Sequence, residues 1–444
     1  MPTPEPPGIA ERRALGQRLR KKLARTSQCQ WKPSAGRDPI HNILTTNADR
    51  LPSLVPLKMR RMSASPFAFF RGTAPLMAED LADCPVTGLY SQICGDAHVR
   101  NLGAYAAPDG HLVFDINDFD ETTRGPWEWD LKRLAASVVL CGREAGDSDK
   151  ACALAASTLV ACYRTSMDIL SEMKAINLVK YEIRRFAGQG IIEEVLNKAR
   201  RVTPLKTLQK LTAQGKKGLP KFQHQPPLLH EVDKATRARV LDSLKSYRGT
   251  INAAHQIVLD AYQPVDVAFK VVGTGSVGTR DYVVLLFGNG TDDPMFLQVK
   301  EALPSCYAPY LKDVQQVAHS GRRVAEGQQR MQTVTDPFLG WTNIEGRDYL
   351  VRQLADRKAA IDPADLKGKK MLEYVTVCGE TLAKAHARTG DPVAIAGYCG
   401  DTAKLDEAIA QFATAYADQM TKDYGAFLKA IKAGKIKVAD SVNI

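Results

Sequence analysis

Residues 267–300 read VAFKVVGTGSVGTRDYVVLLFGNGTDDPMFLQVK, and their punctuation decides the fold. Val267 to Val272 reads as a strand, Tyr282 to Phe287 as a second and Met295 to Lys300 as a third. Gly273-Thr-Gly275-Ser276-Val-Gly278 joins the first two, and Gly288-Asn-Gly290-Thr-Asp-Asp turns the chain between the last two. A Gly-x-Gly-x-x-Gly that binds a dinucleotide must run into a helix, but here a strand, Tyr-Val-Val-Leu-Leu-Phe, follows. What remains is a strand–glycine loop–strand hairpin followed by a strand that ends in Val-Lys300. Taken alone, Lys300 reads as a solvated strand-end lysine.

Earlier in the chain, Gly95-Asp96-Ala97-His98-Val99-Arg100-Asn101 precedes a second hairpin pattern, and Asn117-Asp118-Phe119-Asp120 follows it. Its strands are Leu102 to Tyr105 and Leu112 to Ile116, with Pro108-Asp109-Gly110 as the turn. A tight hairpin returns the chain antiparallel, so Asp96 and Asn101 come close to Asp118 and Asp120. Each carboxylate taken singly is an ordinary turn residue. As a set with Asp115 they are like charges, which destabilise a fold unless a metal, a cation or a proton compensates. Oxygen ligands on adjacent loops suit Mg²⁺, a hard ion held by one or two carboxylates plus substrate phosphates.

At 444 residues the chain is long enough for one large two-lobed domain, and 44% hydrophobic with 25% charged residues is a globular composition. No apolar run approaches a membrane span, and the start lacks the apolar region of a signal peptide. Nine cysteines, an odd number without a Cys-x-x-Cys pair, suggest reduced thiols in the cytoplasm and neither disulfides nor a zinc site. The net charge of +11 suits an anionic nucleotide or plain solubility as well as nucleic acid. With no zinc-finger spacing, RNP-like aromatic motif or basic zipper, nucleic acid is the minor reading.

Elsewhere the patterns are mostly helical. Glu11 to Arg25 places Leu15, Leu19 and Leu23 on one face, a solvated helix packed by a thin apolar stripe. Ser65-Pro-Phe-Ala-Phe-Phe-Arg71-Gly72 reads as core aromatics with an arginine free to hold a phosphate or pair with an aspartate. Helices are expected over Asp130–Arg143, Asp147–Lys174, most of 180–262, 311–332, Lys370–Arg388 and Asp406–Ala433. The basic loop at 214–227 and the wider basic segment at 198–221 have no assigned role.

Gly95-Asp96-x-His98-x-x-Asn101, Asp118-Phe-Asp120 and Asp130-Leu131 resemble the phosphotransferase site of aminoglycoside and choline kinases. The resemblance implies that Asp96 orients or deprotonates an acceptor hydroxyl. It further implies that Asn101 and Asp118 hold Mg²⁺, with Asp120 beside them, and that Asp130 buttresses the catalytic loop. Gly273, Gly275, Ser276, Gly278 and Lys300 look like the ATP-covering hairpin of kinases. That implies ATP as cofactor and a glutamate on the following helix to pair with the lysine: Glu326, with Glu301 second. Arg71 and His98 become candidate substrate or phosphate contacts. SPFAFFRG, GDAHVRNLG, DINDFDE, GTGSVGTR and LQVKEA make the chain, from about Trp31 to Met420, similar to an uncharacterised bacterial family. That family, domain of unknown function twenty-two fifty-two, supplies no activity.

The order of parts departs from ordinary kinases, because the catalytic loop precedes the glycine loop. Read cyclically it works, so the expected fold is α+β, protein-kinase-like, two-lobed and circularly permuted. Residues 1–56 form a basic helix and wrapping segment, and 57–262 the catalytic-loop part of the helical lobe. The nucleotide-binding β lobe is 263–358, and 359–444 returns to the helical lobe. Cys94 stands where many kinases carry His or Arg. The expected activity is ATP- and Mg²⁺-dependent phosphoryl transfer to an unidentified small-molecule or protein hydroxyl. The rivals are a nucleotide-binding regulator without turnover, AMP transfer on the same fold, and a metal-dependent phosphohydrolase. Oligomeric state is not encoded in any pattern visible here.

Overall fold

Tyr282-Val-Val-Leu-Leu-Phe287 is apolar without alternation because its strand, Asp281–Phe287, is covered on both sides. In the computed structural model, which describes residues 8–183, 190–215, 218–271, 273–354 and 359–440, Val284 and Leu286 pack with Val267, Leu297, Val299 and Tyr247. Val283, Leu285 and Phe287 pack on the other face with Leu208, Phe222 and Phe296. A strand buried on both faces has no wet side to alternate with. It belongs to a six-stranded sheet in the spatial order Gly340–Ile344, Arg347–Gln353, Pro294–Glu301, Asp281–Phe287, Gln263–Lys270, Leu229–Glu231. All its pairings are antiparallel, with Lys300 opposite Asp281 on one side and Leu350 on the other. Period-two alternation puts Phe296, Gln298 and Lys300 on one face.

The rest of the chain is a mixed, largely helical body, so the protein is α+β. Trp127–Glu144 is buried along almost its whole length among Asp149–Ser171, Lys369–Ala387 and Lys404–Lys432. The Leu102–Ala106 and Leu112–Ile116 strands form the expected hairpin, Gly110 taking the positive φ of its turn. A second short pair, Tyr90–Ile93 with Thr123–Pro126, closes the other end. The loops 94–101 and 117–122 are therefore pinned at both ends by paired strands: Ile93 faces Thr123, and Leu102 faces Ile116. Among the described residues no helix is long and apolar enough to cross a membrane.

Three expectations change. In the Ile9–Lys22 helix Leu19 packs against the core but Leu15 is 37% exposed, and the buried residue is Gly16, set against the backbone of Ala394 in Pro392–Cys399. Leucine spacing finds an apolar stripe but not a close backbone approach. Residues 204–260, expected with the helical lobe, instead pack on the sheet: Leu208 and Phe222 on one face, Val240 and Tyr247 on the other, with Leu229–Glu231 as an edge strand. An amphipathic helix does not encode which neighbour it covers. The 311–332 helix begins only at Ser320. Arg347–Gln353, within the expected β lobe, is a strand, and residues 355–358 lie outside the described residues.

Candidate active site

The catalytic-loop candidate is held from below by Asp130. One oxygen accepts the Cys94 N–H at 2.7 Å and the other the Gly95 N–H at 2.9 Å. Gly95 sits at φ +81°, where a Cβ would strike the Glu121 carbonyl, so only glycine fits. His386 reaches Asp130 at 3.3 Å and takes its other contact from the Tyr163 hydroxyl at 2.9 Å. Further along, Tyr307 Oη donates to the Gly95 carbonyl and the Asn101 amide to the Asp96 carbonyl. The backbone N–H of Asn117 donates to the Asn101 carbonyl at 2.9 Å, tying this loop to the next one.

Asp96 is gripped by Arg133, whose Nε lies 2.7 Å from Oδ1 and whose Nη2 also contacts that oxygen. Its Oδ2 is 3.7 Å from His98 Nε2. His98 is buried edge-on to Phe67, and burial, then Arg71, Arg133 and Arg100, hold it well below the usual histidine range. It is a neutral side chain. Arg71 faces the same space with its Nε lacking a hydrogen-bond partner among the described residues. Burial, with Arg100 next, brings its guanidinium down to about 10.

The two regions meet at Asp120. Lys300 Nζ, 180 positions later in the chain, contacts Asp120 Oδ2, and Ser276 Oγ of the glycine loop donates to the same oxygen at 2.9 Å. Burial would raise the Asp120 carboxyl, but Lys300 and Ser276 outweigh it and hold it at about 2. Lys300 in turn keeps its charge despite burial, because Asp120 and then Asp118 raise it. Asp118 is half-buried beside them, and its Oδ1 has no hydrogen-bond partner among the described residues. A cleft of about 570 Å³ joins Asp96, His98, Asn101, Asp118 and Asp120 to Gly273, Gly275, Ser276 and Lys300.

Other assignments are corrected. Glu326 does not pair with Lys300; it bridges Arg322 and Arg330 one turn away on either side of the Ser320–Met331 helix. That helix turns Arg323 and Gln328 inward, leaving Glu326 on its outer side. Glu301, the second candidate, pairs with Arg280 and Arg347. Asp115 lies outside the cleft, in a fully buried ion pair with Lys384. Phe67, Phe69 and Phe70 are core, as expected, Trp127 and Trp129 are core as well, and none of the five lines the cleft. The Cys94 side chain is core too, its thiol pushed up by burial, and only its backbone serves the loop.

Residues unmarked by any motif also build the site. Arg323 donates to the carbonyls of Asp120, Thr122 and Leu303, clamping the aspartate loop to the sheet lobe. Arg50 donates to the Val277 carbonyl at 2.6 Å, and Leu51 N–H to Gly278 O at 2.8 Å, so the amino-terminal segment holds the glycine loop. Asp281, beside Lys300 in the sheet, accepts from Gln298 at 2.6 Å, with its other oxygen unpartnered among the described residues.

Burial pushes the Asp281 carboxyl up to about 7 from 3.8, Lys300 and Lys270 only partly opposing it. A carboxyl raised on folding contributes stability that is full below the unfolded value and lost as pH rises through the folded one. Asp281→Asn should therefore gain on the parent protein by a few kcal/mol as pH goes from about 5 to about 8. Thermal melts of both proteins across that range measure it, and parallel curves would exclude a penalised Asp281 charge.

Among the described residues no group of three or more His, Cys, Asp or Glu is arranged to hold a metal unaided. Two carboxylates and an amide suit an ion that also takes phosphate oxygens, and the unpartnered Asp118 Oδ1 fits a cation ligand.

The fold and this cleft define a class: a mixed α+β protein with acidic and glycine-rich loops facing each other. Residues 50–430 match the model for "Uncharacterized protein conserved in bacteria (DUF2252)", and the chain belongs to that family. No curated protein and no solved structure matches it.

Proposed function

We propose that the protein is an ATP- and Mg²⁺-dependent phosphotransferase with a circularly permuted, kinase-like arrangement. The observation that carries this is the meeting of Lys300 and Ser276 with Asp120 in a cleft that also holds Asp96, Asn101 and Asp118. Phosphoryl transfer asks the protein mainly for positioning and charge neutralisation. Lys300 and the glycine-loop amides would take the phosphates. Asn101, Asp118 and Asp120 would hold the metal, which neutralises phosphate charge when bound. Lys300, held by Asp120 in this structure, is the side chain that would turn to phosphate once a metal shared the Asp120 charge.

Asp96 would meet the acceptor hydroxyl through Oδ2, since Arg133 occupies Oδ1. That leaves Oδ2 to orient the hydroxyl and to receive its proton late, which a loose transition state permits. The permutation is supported by the seam: the Gln92 N–H donates to Thr389 Oγ1 at 3.1 Å just beyond the Lys369–Ala387 helix. That helix therefore ends beside the strand leading into the catalytic loop, where an unpermuted chain would run straight on.

The test is incubation with ATP and MgCl₂ plus pools of hydroxyl compounds, followed by mass spectrometry of protein and small molecules. A product heavier by one phosphoryl group, formed only with both ATP and metal, is the expected result. Gain of an AMP group would replace this reading with nucleotidyl transfer. ATP binding without any transfer or hydrolysis would replace it with a regulator.

A further inference from the structure

Arg71 is a charge on a rigid mount. Its helix, Pro66–Gly72, is capped by Ser65, whose Oγ accepts the Ala68 N–H at 3.0 Å, and it buries Phe67, Phe69 and Phe70 in the core. The Phe70 carbonyl accepts from Arg133 Nη2 at 3.2 Å, so the arginine that grips Asp96 is also fastened to the residue before Arg71. On another side, a Cβ added to Gly275 would lie 3.7 Å from the Arg71 carbonyl, so the glycine loop passes against the end of this helix. Arg71 lines the cleft at that point, and it is the foremost charge acting on His98.

The side chain has no mate there. Its Nε lacks a hydrogen-bond partner, and no carboxylate pairs with the guanidinium among the described residues. Burial and then Arg100 work against its charge, while Asp96, followed by Asp118, supports it. Both carboxylates are within electrostatic reach, yet neither is at ion-pair distance. Asp96 Oδ1 is taken by Arg133, and Asp118 Oδ1 is itself unpartnered among the described residues. Buried charges held apart in this way are costly in the empty cleft. They complement a ligand that brings an anion to the guanidinium and a cation to the carboxylate. A metal-bound phosphoryl group is such a ligand.

We propose that Arg71 is a catalytic residue, one that contacts the phosphoryl group as it passes from nucleotide to acceptor between Asp118 and Asp96. This rests on the phosphotransferase reading and deepens it. In the transfer the bond from the γ-phosphorus to the ADP oxygen breaks, a bond to the acceptor oxygen forms, and the acceptor's proton passes to Asp96 Oδ2. Arg71 gives and takes no proton. Its planar fork neutralises charge on the equatorial oxygens of the moving group, where a loose transition state spreads it. Because the helix and Arg133 fix the mount, the donor is in place before the reaction and needs no reorganisation.

The experiment is calorimetric titration of the full chain with MgADP, alone and with fluoroaluminate, which beside ADP mimics a phosphoryl group in flight. The parent protein should bind MgADP about 10²-fold or more tightly when fluoroaluminate is present. Arg71→Gln should lose most of that gain and Arg71→Lys should keep part of it, while the affinity of each for MgADP alone stays within about three-fold of the parent. Without ligand neither variant should melt below the parent, since no native partner is lost. A parent-like gain in Arg71→Gln overturns the proposal. So does MgADP affinity falling in step, which would give Arg71 to the resting nucleotide, or a steep loss of melting temperature in both variants, which would make it structural. If the parent binds MgADP and gains nothing from fluoroaluminate, the proposal fails and the nucleotide site stands. If the parent binds no MgADP, the phosphotransferase reading fails and takes the proposal with it.

Discussion

Asp118→Asn is expected to lower phosphoryl transfer by about 10³-fold while leaving the melting temperature nearly unchanged. The two halves of this expectation have separate causes. Asp118 Oδ1 has no hydrogen-bond partner among the described residues, so an amide of the same shape breaks no hydrogen bond there, and Lys300 keeps its pairing with Asp120. The charge that would bind metal is lost, however, and with it the alignment of the phosphates. The finer signature is in binding. Mg²⁺ should tighten ATP binding to the parent protein and fail to do so in the variant, as titrations with and without the metal will read. Full-rate transfer by the folded variant would remove Asp118 from the site and sink the phosphotransferase mechanism as drawn.

Lys384→Met carries the largest expected loss of stability. Lys384 and Asp115 are 1% and 0% exposed and pair directly, tying the Lys369–Ala387 helix to the Leu112–Ile116 strand. Removing one partner leaves a charge buried alone, which costs about 3–5 kcal/mol. Adding Asp115→Asn removes that charge, and the amide oxygen can still accept the Ile116 N–H that Asp115 Oδ1 accepts at 2.9 Å. The double variant should therefore recover most of the loss in denaturant titrations. Equal losses in single and double variants would show that shape, not charge, holds this joint. Because Asp118 lies three residues beyond Asp115, the single variant should also loosen the 117–122 loop before the whole chain unfolds.

Much of the site was legible because its chemistry is local. The glycine hairpin was readable from the strand that follows it, and the acidic hairpin from turn residues between alternating runs. Those short-range rules place side chains within a few positions of one another, and the structure brings both stretches to one cleft. The choice of partner across the cleft was not legible. Glu326 has suitable chemistry on a suitable helix, yet its rotation about that helix puts it between Arg322 and Arg330, and Lys300 takes Asp120 instead. Arg323 gave no signal in sequence, since its clamp on Asp120, Thr122 and Leu303 consists of carbonyls that any residue supplies. Arg50 reaches Val277 across 227 positions, and no periodicity spans that distance.

By itself, the amino-acid order determined the local elements around the cleft: the strands of the two hairpins, where glycine must turn the chain, and which loops carry the carboxylates; it did not reveal the short strands inside 204–260. It determined the former because backbone sterics and side-chain alternation act over a few residues. Only the tertiary structure decided which charges neutralise one another and which helices cover the sheet. Those outcomes depend on burial and on distances of a few ångströms between groups far apart in the chain, and Coulomb energies in a poorly solvated interior change steeply over such distances.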